Sequence, residues 1–251
     1  MTVNGRMKFG VFMAPFHRVN ENPTLALDRD LELLQWLDTL GFDEAYIGEH
    51  HSAGWETIAS PEVFIATAAE RTRHIRLGTG VISLPYHHPY MVANRMVLLD
   101  HLTKGRVILG VGPGALNTDA YMFGLDPGRQ REMMDESLGV IMQLLDGSEP
   151  VTCETDWFKL RDATLQLRPF QKPTLPVAVA SVQSPAGVLL AGKHGASTRR
   201  WREILQPVPS QMEVHCRMLS SGLSARPSTM PRRKNNRQMT SFASALPILK
   251  N

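Results

Sequence analysis

The chain has 251 residues, of which 43% are hydrophobic and 20% charged, and a net charge of only +3. This length and composition suit one large soluble domain and exclude a collagen-like, disulfide-scaffold or membrane-spanning class. The start lacks a hydrophobic signal core, which predicts a cytoplasmic protein, and the two cysteines, Cys153 and Cys216, form neither a disulfide framework nor a metal-ligand pattern.

Lys8 to Met13 predicts a first strand, ending in the loop Ala14-Pro15-Phe16-His17. Asn22 followed by Pro23 is a helix start, since asparagine caps free backbone N–H groups and proline suits the first helical position. Leu27, Leu31, Leu34 and Leu37 continue at helical spacing to Gly41. Ala45 to Ile47 is a short apolar run that stops at Gly48-Glu49-His50-His51, which predicts a buried strand with three ionisable groups at its C-terminal end. Ligands bind at that end in α/β folds. An ordinary loop would also explain the two histidines, but three titratable groups gathered at one strand end favour a functional site. Adjacent strand residues face opposite ways, so His50 and His51 cannot share one pocket if the strand continues through them.

Ser60-Pro61 repeats the cap-plus-proline start and leads a helix through Phe64, Ile65, Ala68 and Ala69. Ile75 to Ile82 is a third strand, with Gly78 and Gly80 marking either a close neighbour or a flat ligand against the backbone. Pro89 opens a helix with Val92, Met96, Leu99 and Leu102 inward, closed by Gly105. Arg106 to Val111 is a fourth strand, and a helix with Met134, Leu138, Ile141 and Leu145 on one face stops at Gly147. Strand starts near 8, 45, 75 and 106 recur about every thirty residues, the spacing of βα units. An inserted hairpin is expected within 148–173, with arms at Trp157-Phe158-Lys159-Leu160 and Thr164-Leu165-Gln166-Leu167. Val177 to Ala180 is the fifth strand, and Ser184-Pro185 begins a fifth helix that runs to about Gly195.

Beyond that point the apolar period vanishes. Residues 198–251 carry ten basic and two acidic groups, against 17 and 22 in the preceding 197, so the basic balance belongs to the tail and gives the body no nucleic-acid signature. The expected organisation is a domain over 7–196 and a disordered basic tail over 197–251, which a reading-frame shift near Ala196–Thr198 would explain.

Gly110-Val111-Gly112-Pro113-Gly114 follows a strand but makes a poor dinucleotide fingerprint. Ala115 takes the third glycine position, Pro113 removes a backbone donor, and the next predicted helix begins about a dozen residues on. His50, His51, His87 and His88 form no metal-ligand spacing, so no metal is expected. Ser52, Ser83 and Ser181 lack a nucleophile-elbow context. Phe12, Trp55 and Tyr86 suit either an apolar pocket or the core.

Lys8-Phe9-Gly10-Val11-Phe12, Gly41-Phe42-Asp43 with Glu49-His50-His51, Leu77-Gly78-Thr79-Gly80-Val81 and Asp100-His101-Leu102-Thr103-Lys104-Gly105-Arg106 occur in order. In order and spacing the chain resembles the bacterial-luciferase-like flavin monooxygenases over about residues 7–196, and Glu49 to Glu56 is most similar to the limonene monooxygenase-type subgroup. The resemblance implies a TIM-type (β/α)8 barrel, of which this chain supplies about five βα units. It implies an enzyme that takes reduced flavin mononucleotide (FMN) and O2, and through a flavin C4a-hydroperoxide inserts one oxygen atom into a small apolar substrate such as a monoterpene alkene. A separate flavin reductase is the implied partner, with no nucleic acid or membrane and with homo-oligomers open. On this resemblance His50 is the active-site histidine and Glu49 the acid beside it. Gly80-Val81 is a cis peptide under the flavin ring, and Asp119 is an acid after the fourth strand. Ser181 and Ser184 are phosphate-loop hydroxyls, Ser184 serving equally as a helix cap. Pro113 stands where the luciferases carry a phosphate-binding arginine. Two alternatives stay open: a deazaflavin-dependent oxidoreductase on the same scaffold, and a truncated, non-catalytic chain.

Overall fold

A computed structural model describes residues 8–14, 16–52, 54–181 and 186–200. The strands are β1 (Gly10–Met13), β2 (Glu44–Ile47), β3 (Arg76–Thr79), β4 (Ile82–Ser83), β5 (Val107–Gly112), β6 (Val151–Glu154), β7 (Lys159–Ala163), β8 (Val177–Ser181) and β9 (Ser197–Arg200). The helices are α1 (Pro23–Thr39), α2 (Pro61–Arg71), α3 (Pro89–Leu102), α4 (Asn117–Met122), α5 (Gln130–Asp146) and α6 (Ala186–His194), with a single 3-10 turn at Leu84–Tyr86. Among the described residues no helix is long and apolar enough to cross a membrane.

The helix starts follow their local chemistry. The Asn22 side chain accepts the Thr24 N–H at 2.9 Å and Pro23 takes the first position of α1. Pro61 opens α2 as expected, although Ser60 makes no capping bond. Gly41 and Gly147 end α1 and α5 with left-handed backbones, φ 79° and 59°, which glycine adopts without a Cβ penalty.

β1, β2, β3, β5, β8 and β9 pair in that order, all parallel. Their side chains alternate between two cores. Met13, Ala45, Ile47, Leu77, Val107, Leu109, Val111, Val177 and Val179 meet the apolar faces of α1, α2, α3 and α5 in the larger one. Tyr46, Ile108 and Ala178, with Phe12 and Ala180, form a second cluster on the opposite face. Parallel strands covered on both faces carry near-continuous apolar runs, which is why Ala45–Ile47 and Val107–Val111 stand out in the sequence.

One irregularity shapes the sheet. Gly78 pairs with Ile108, but the next aligned pair on that edge is Ile82 with Val111, so one side holds one extra residue, a β-bulge. Thr79 fills the gap: its hydroxyl donates to Gly110 O at 2.7 Å and accepts the Gly110 N–H at 2.9 Å. The Gly80–Val81 peptide, inside the bulge, is cis.

Four expectations are corrected. The hairpin is β6 with β7, antiparallel, so its arms lie earlier than 157–160 and 164–167. Leu102 is 54% exposed. At about 100° per residue it has turned roughly 80° away from Val92, off the inward stripe. A short helix, α4, precedes the one expected after the fourth strand. Finally, Ser197–Arg200 continues the sheet as a sixth parallel partner beyond the expected boundary at 196. Backbone pairing with β8 defines it, reinforced by Ser197 Oγ donating to Val177 O at 2.8 Å. The expected tail from 201 onward lies outside the described residues.

Candidate active site

The candidate residues gather beyond the C-terminal ends of β2, β4 and β5. β2 ends at Ile47, so Glu49, His50 and His51 sit on a loop rather than on strand positions. That loop lets both histidines turn toward acids: His50 to Asp119 and Glu56, His51 to Glu49.

Glu49 is buried and fully engaged. Its Oε1 accepts from His51 Nε2 at 2.8 Å and from His87 Nε2 at 2.7 Å, while Oε2 accepts the Ser83 N–H at 2.9 Å. Burial pushes this carboxyl up, yet the bonds from His51 and His87 outweigh it and hold Glu49 below the ordinary carboxylate range. The same bond raises His51 above the ordinary imidazole value, against the opposing effect of burial. The ligand-type atoms of Glu49, His51 and His87 all lie within 4.8 Å of one another, a grouping that the sequence spacing did not disclose. Here the imidazoles spend their Nε2 atoms on the carboxylate. His88 stands apart, its ring edge-on to Phe158 at 6.0 Å.

Asp119 is buried in the first turn of α4. Its Oδ2 lies 3.3 Å from His50 Nδ1, and its Oδ1 accepts the His51 backbone N–H at 3.2 Å and the Ser52 hydroxyl. Burial raises its carboxyl, but the Ser52 and His50 bonds prevail and the net direction is down. Thus α4, absent from the sequence reading, is the element that delivers Asp119 to His50.

The remaining candidates divide. Gly80 and Val81 lie in the bulge, where a Cβ on Gly80 would come within 3.0 Å of the Phe12 ring and of Tyr46 Cβ. Ser181 is the last residue of β8, and Ser184 lies outside the described residues. Phe12 packs in the second core cluster, whereas Trp55 is exposed. Tyr86 stacks on Phe123, ring centroids 4.7 Å apart, and both meet His51 edge-on. Sequence reasoning missed Phe123, His87 as the partner of Glu49, and Glu56. The last stands inside the Glu49–Glu56 string and was the most accessible of the three.

A parallel α/β sheet with titratable groups collected at the strand C-termini defines the class of barrel-mouth sites. The luciferase-like monooxygenase family model matches residues 7–198, and the chain belongs to that family. The scaffold is therefore the TIM-type barrel of the family, of which the described residues form six consecutive parallel strands. The chain is 60% identical over 192 residues to 4-hydroxyprotoasukamycin monooxygenase of Streptomyces nodosus subsp. asukaensis, covering 76% of this chain and 52% of that protein. It is 53% identical over 192 residues to limonene 1,2-monooxygenase of Rhodococcus erythropolis, covering 76% and 49%. Among solved structures it resembles the oxygenating constituent of 3,6-diketocamphane monooxygenase from Pseudomonas putida in complex with FMN. That likeness has a TM-score of 0.68 and 26% identity, and covers 76% of this chain and 56% of that one. The chain thus spans about half the length of the curated relatives it matches.

Proposed function

We propose that this site serves a flavin-dependent monooxygenase that transfers one oxygen atom from O2 to a small apolar organic substrate. The observation that carries the reading is the 60% and 53% identity to two monooxygenases over 192 residues each, with His50, Asp119 and the bulged strand inside the family match at residues 7–198. The residues suit FMN. Gly80 in the bulge is packed closely by the aromatic side chains of Phe12 and Tyr46, which suits the neighbourhood of a planar ring system, and the polar groups of Ser52 and Asp119 gather beyond the C-terminal ends of the same sheet. Bound reduced FMN would supply the activation of O2.

The chain's own residues then have separable tasks. Asp119 orients His50 through Nδ1. His50, about a quarter exposed, is placed to hold or pass a proton to groups in the mouth. Glu49, with both oxygens engaged, ties the loop after β2 to Ser83 and His87 and so acts on the chemistry by position. Tyr86 and Phe123 offer a stacked apolar wall, which supports an apolar substrate such as a monoterpene. Ser181 and Ser184 remain the proposed phosphate hydroxyls. Because the similar P. putida protein is the oxygenating constituent of its monooxygenase, a separate flavin reductase is the proposed partner, and the cytoplasm the proposed compartment.

The test is an anaerobic titration of the full chain with reduced FMN, followed by oxygen and a monoterpene alkene, with product detected by mass spectrometry. An oxygenated product one oxygen heavier is expected. Binding of a deazaflavin in preference to FMN, with hydride transfer and no oxygen incorporation, would overturn the reading in favour of a dehydrogenase.

A further inference from the structure

Glu56 stands beside His50 and has no part in the tasks above. Its surroundings show how firmly it is placed. The segment after β2 folds back so that the His50 N–H donates to Ile58 O at 3.3 Å. Glu56 is then clamped on both sides by the β1 loop. The His17 N–H donates to Trp55 O at 2.7 Å, His17 Nδ1 lies 2.7 Å from Thr57 Oγ1, and Phe16 bridges to Glu56 itself. His17 is buried in turn against Asp30 of α1, Nε2 to Oδ2 at 2.8 Å.

The clamped side chain is only 9% accessible, and its Oε2 lies 2.7 Å from His50 Nε2. Yet Oε2 makes no hydrogen bond, so that contact is close but poorly aligned. A buried carboxylate without an aligned donor is costly, and native structures keep such groups where another partner arrives. His50 therefore sits between two acids, Asp119 at Nδ1 and Glu56 at Nε2, and the second hold is the weaker and more exchangeable.

Resting on the monooxygenase reading above, we propose that Glu56 is a positioning residue that holds His50 Nε2 in the free protein and yields it to a ligand bound in the barrel mouth. In the free state the close contact keeps Nε2 turned toward Glu56; in the bound state Nε2 passes to the ligand without a search for it. The His17–Asp30 anchor keeps Glu56 from following the ring into the mouth.

The test reads the ring nitrogens of His50 directly. Two-bond 15N–1H spectra are recorded on the full chain, with His50 assigned by His50→Asn. Glu56→Ala should move the Nε2 resonance and leave Nδ1 nearly in place, and added FMN should move the same Nε2 resonance in the wild type. In turnover, Glu56→Ala should lose roughly 10²-fold in kcat, the scale of a misplaced reacting group, with KM within about two-fold. Glu56→Gln, which keeps an oxygen at the same reach, should recover most of that loss. It also carries the test, by the same Nε2 readout, if the alanine variant does not fold. An Nε2 resonance indifferent to both substitutions overturns the proposal. If Nε2 responds but His50→Asn turns over like the wild type, the positioning contact stands and the monooxygenase role of His50 fails instead.

Discussion

Glu49 and His51 stabilise each other through opposite ionisations, and the sign of each effect can be followed through pH. The lowered Glu49 contributes stability that is present above its unfolded value, about 4.3, and lost as pH falls through its lower folded value. The raised His51 contributes stability that is full below its unfolded value, about 6.5, and lost as pH rises through its higher folded value. Both are complete only between roughly pH 4.5 and 6.5. The difference in Tm between wild type and His51→Asn should be largest at pH 6 and shrink by pH 9; a constant difference across that range would show the pair to be uncoupled. His50 calls for a different measurement. If it handles a proton in the mouth, His50→Ala should lower product formation by about 10²–10⁴-fold at saturating FMN, and near-normal turnover would remove it from the mechanism. How much of this could be read from the sequence depends on distance along the chain. Glu49, His50 and His51 stand together and announce themselves. The acids and imidazoles that complete them are 38 residues away at His87 and 69 away at Asp119, and only the fold brings them near.

Elements whose ends are set by local chemistry were legible: Asn22-Pro23 and Pro89 at helix starts, Gly41 and Gly147 at helix ends, and the apolar strands β2, β5 and β8. Elements set by tertiary pairing were not. β9 reads Ser-Thr-Arg-Arg and carries no apolar signal, yet it takes four aligned positions against β8. The six residues of α4 are too few for a helical period to show. Glycine in strands announced a close approach without saying of what. The structure answers differently at each position: Gly78 makes room for the Tyr46 ring, whereas Gly110 makes room for backbone. A Cβ on Gly110 would fall 1.9 Å from Thr79 O, in the bulge where the Thr79 hydroxyl already closes the ladder. A backbone carbonyl cannot rotate aside as a side chain can. Gly110→Ala should therefore cost about 3 kcal/mol or more, the upper end for overpacking, and should show as a lower urea midpoint with an unchanged slope. A loss below about 1 kcal/mol would mean that the bulge relaxes freely.

Across the whole molecule, the helix-side core and the mouth place different demands on one sheet. Val107, Leu109 and Val111 bury fully against the helices, while on the other face of the same strand Ile108 is buried but Gly110 and Gly112 carry no side chain. The helix side therefore carries most of the buried apolar surface, and a ligand held beyond the strand C-termini would add contacts of its own to the fold. If FMN binds there, it binds the folded state and not the unfolded one. Mass action then stabilises the fold by about 2.7 kcal/mol when free FMN is at 100 times its Kd. For a chain of this size each kcal/mol moves Tm by roughly 2–4 °C, so a rise of about 5–11 °C is expected. The rise should grow with the logarithm of FMN concentration once binding is saturated. His50→Ala should reduce the rise by no more than the loss of one hydrogen bond, about 1 kcal/mol, because FMN would take up His50 Nε2 as only one of its contacts. The measurement needs neither substrate nor reductase. Because the chain spans about half the length of its monooxygenase relatives, it also asks directly whether these residues hold the cofactor by themselves. A Tm independent of FMN up to millimolar concentration would show that they do not.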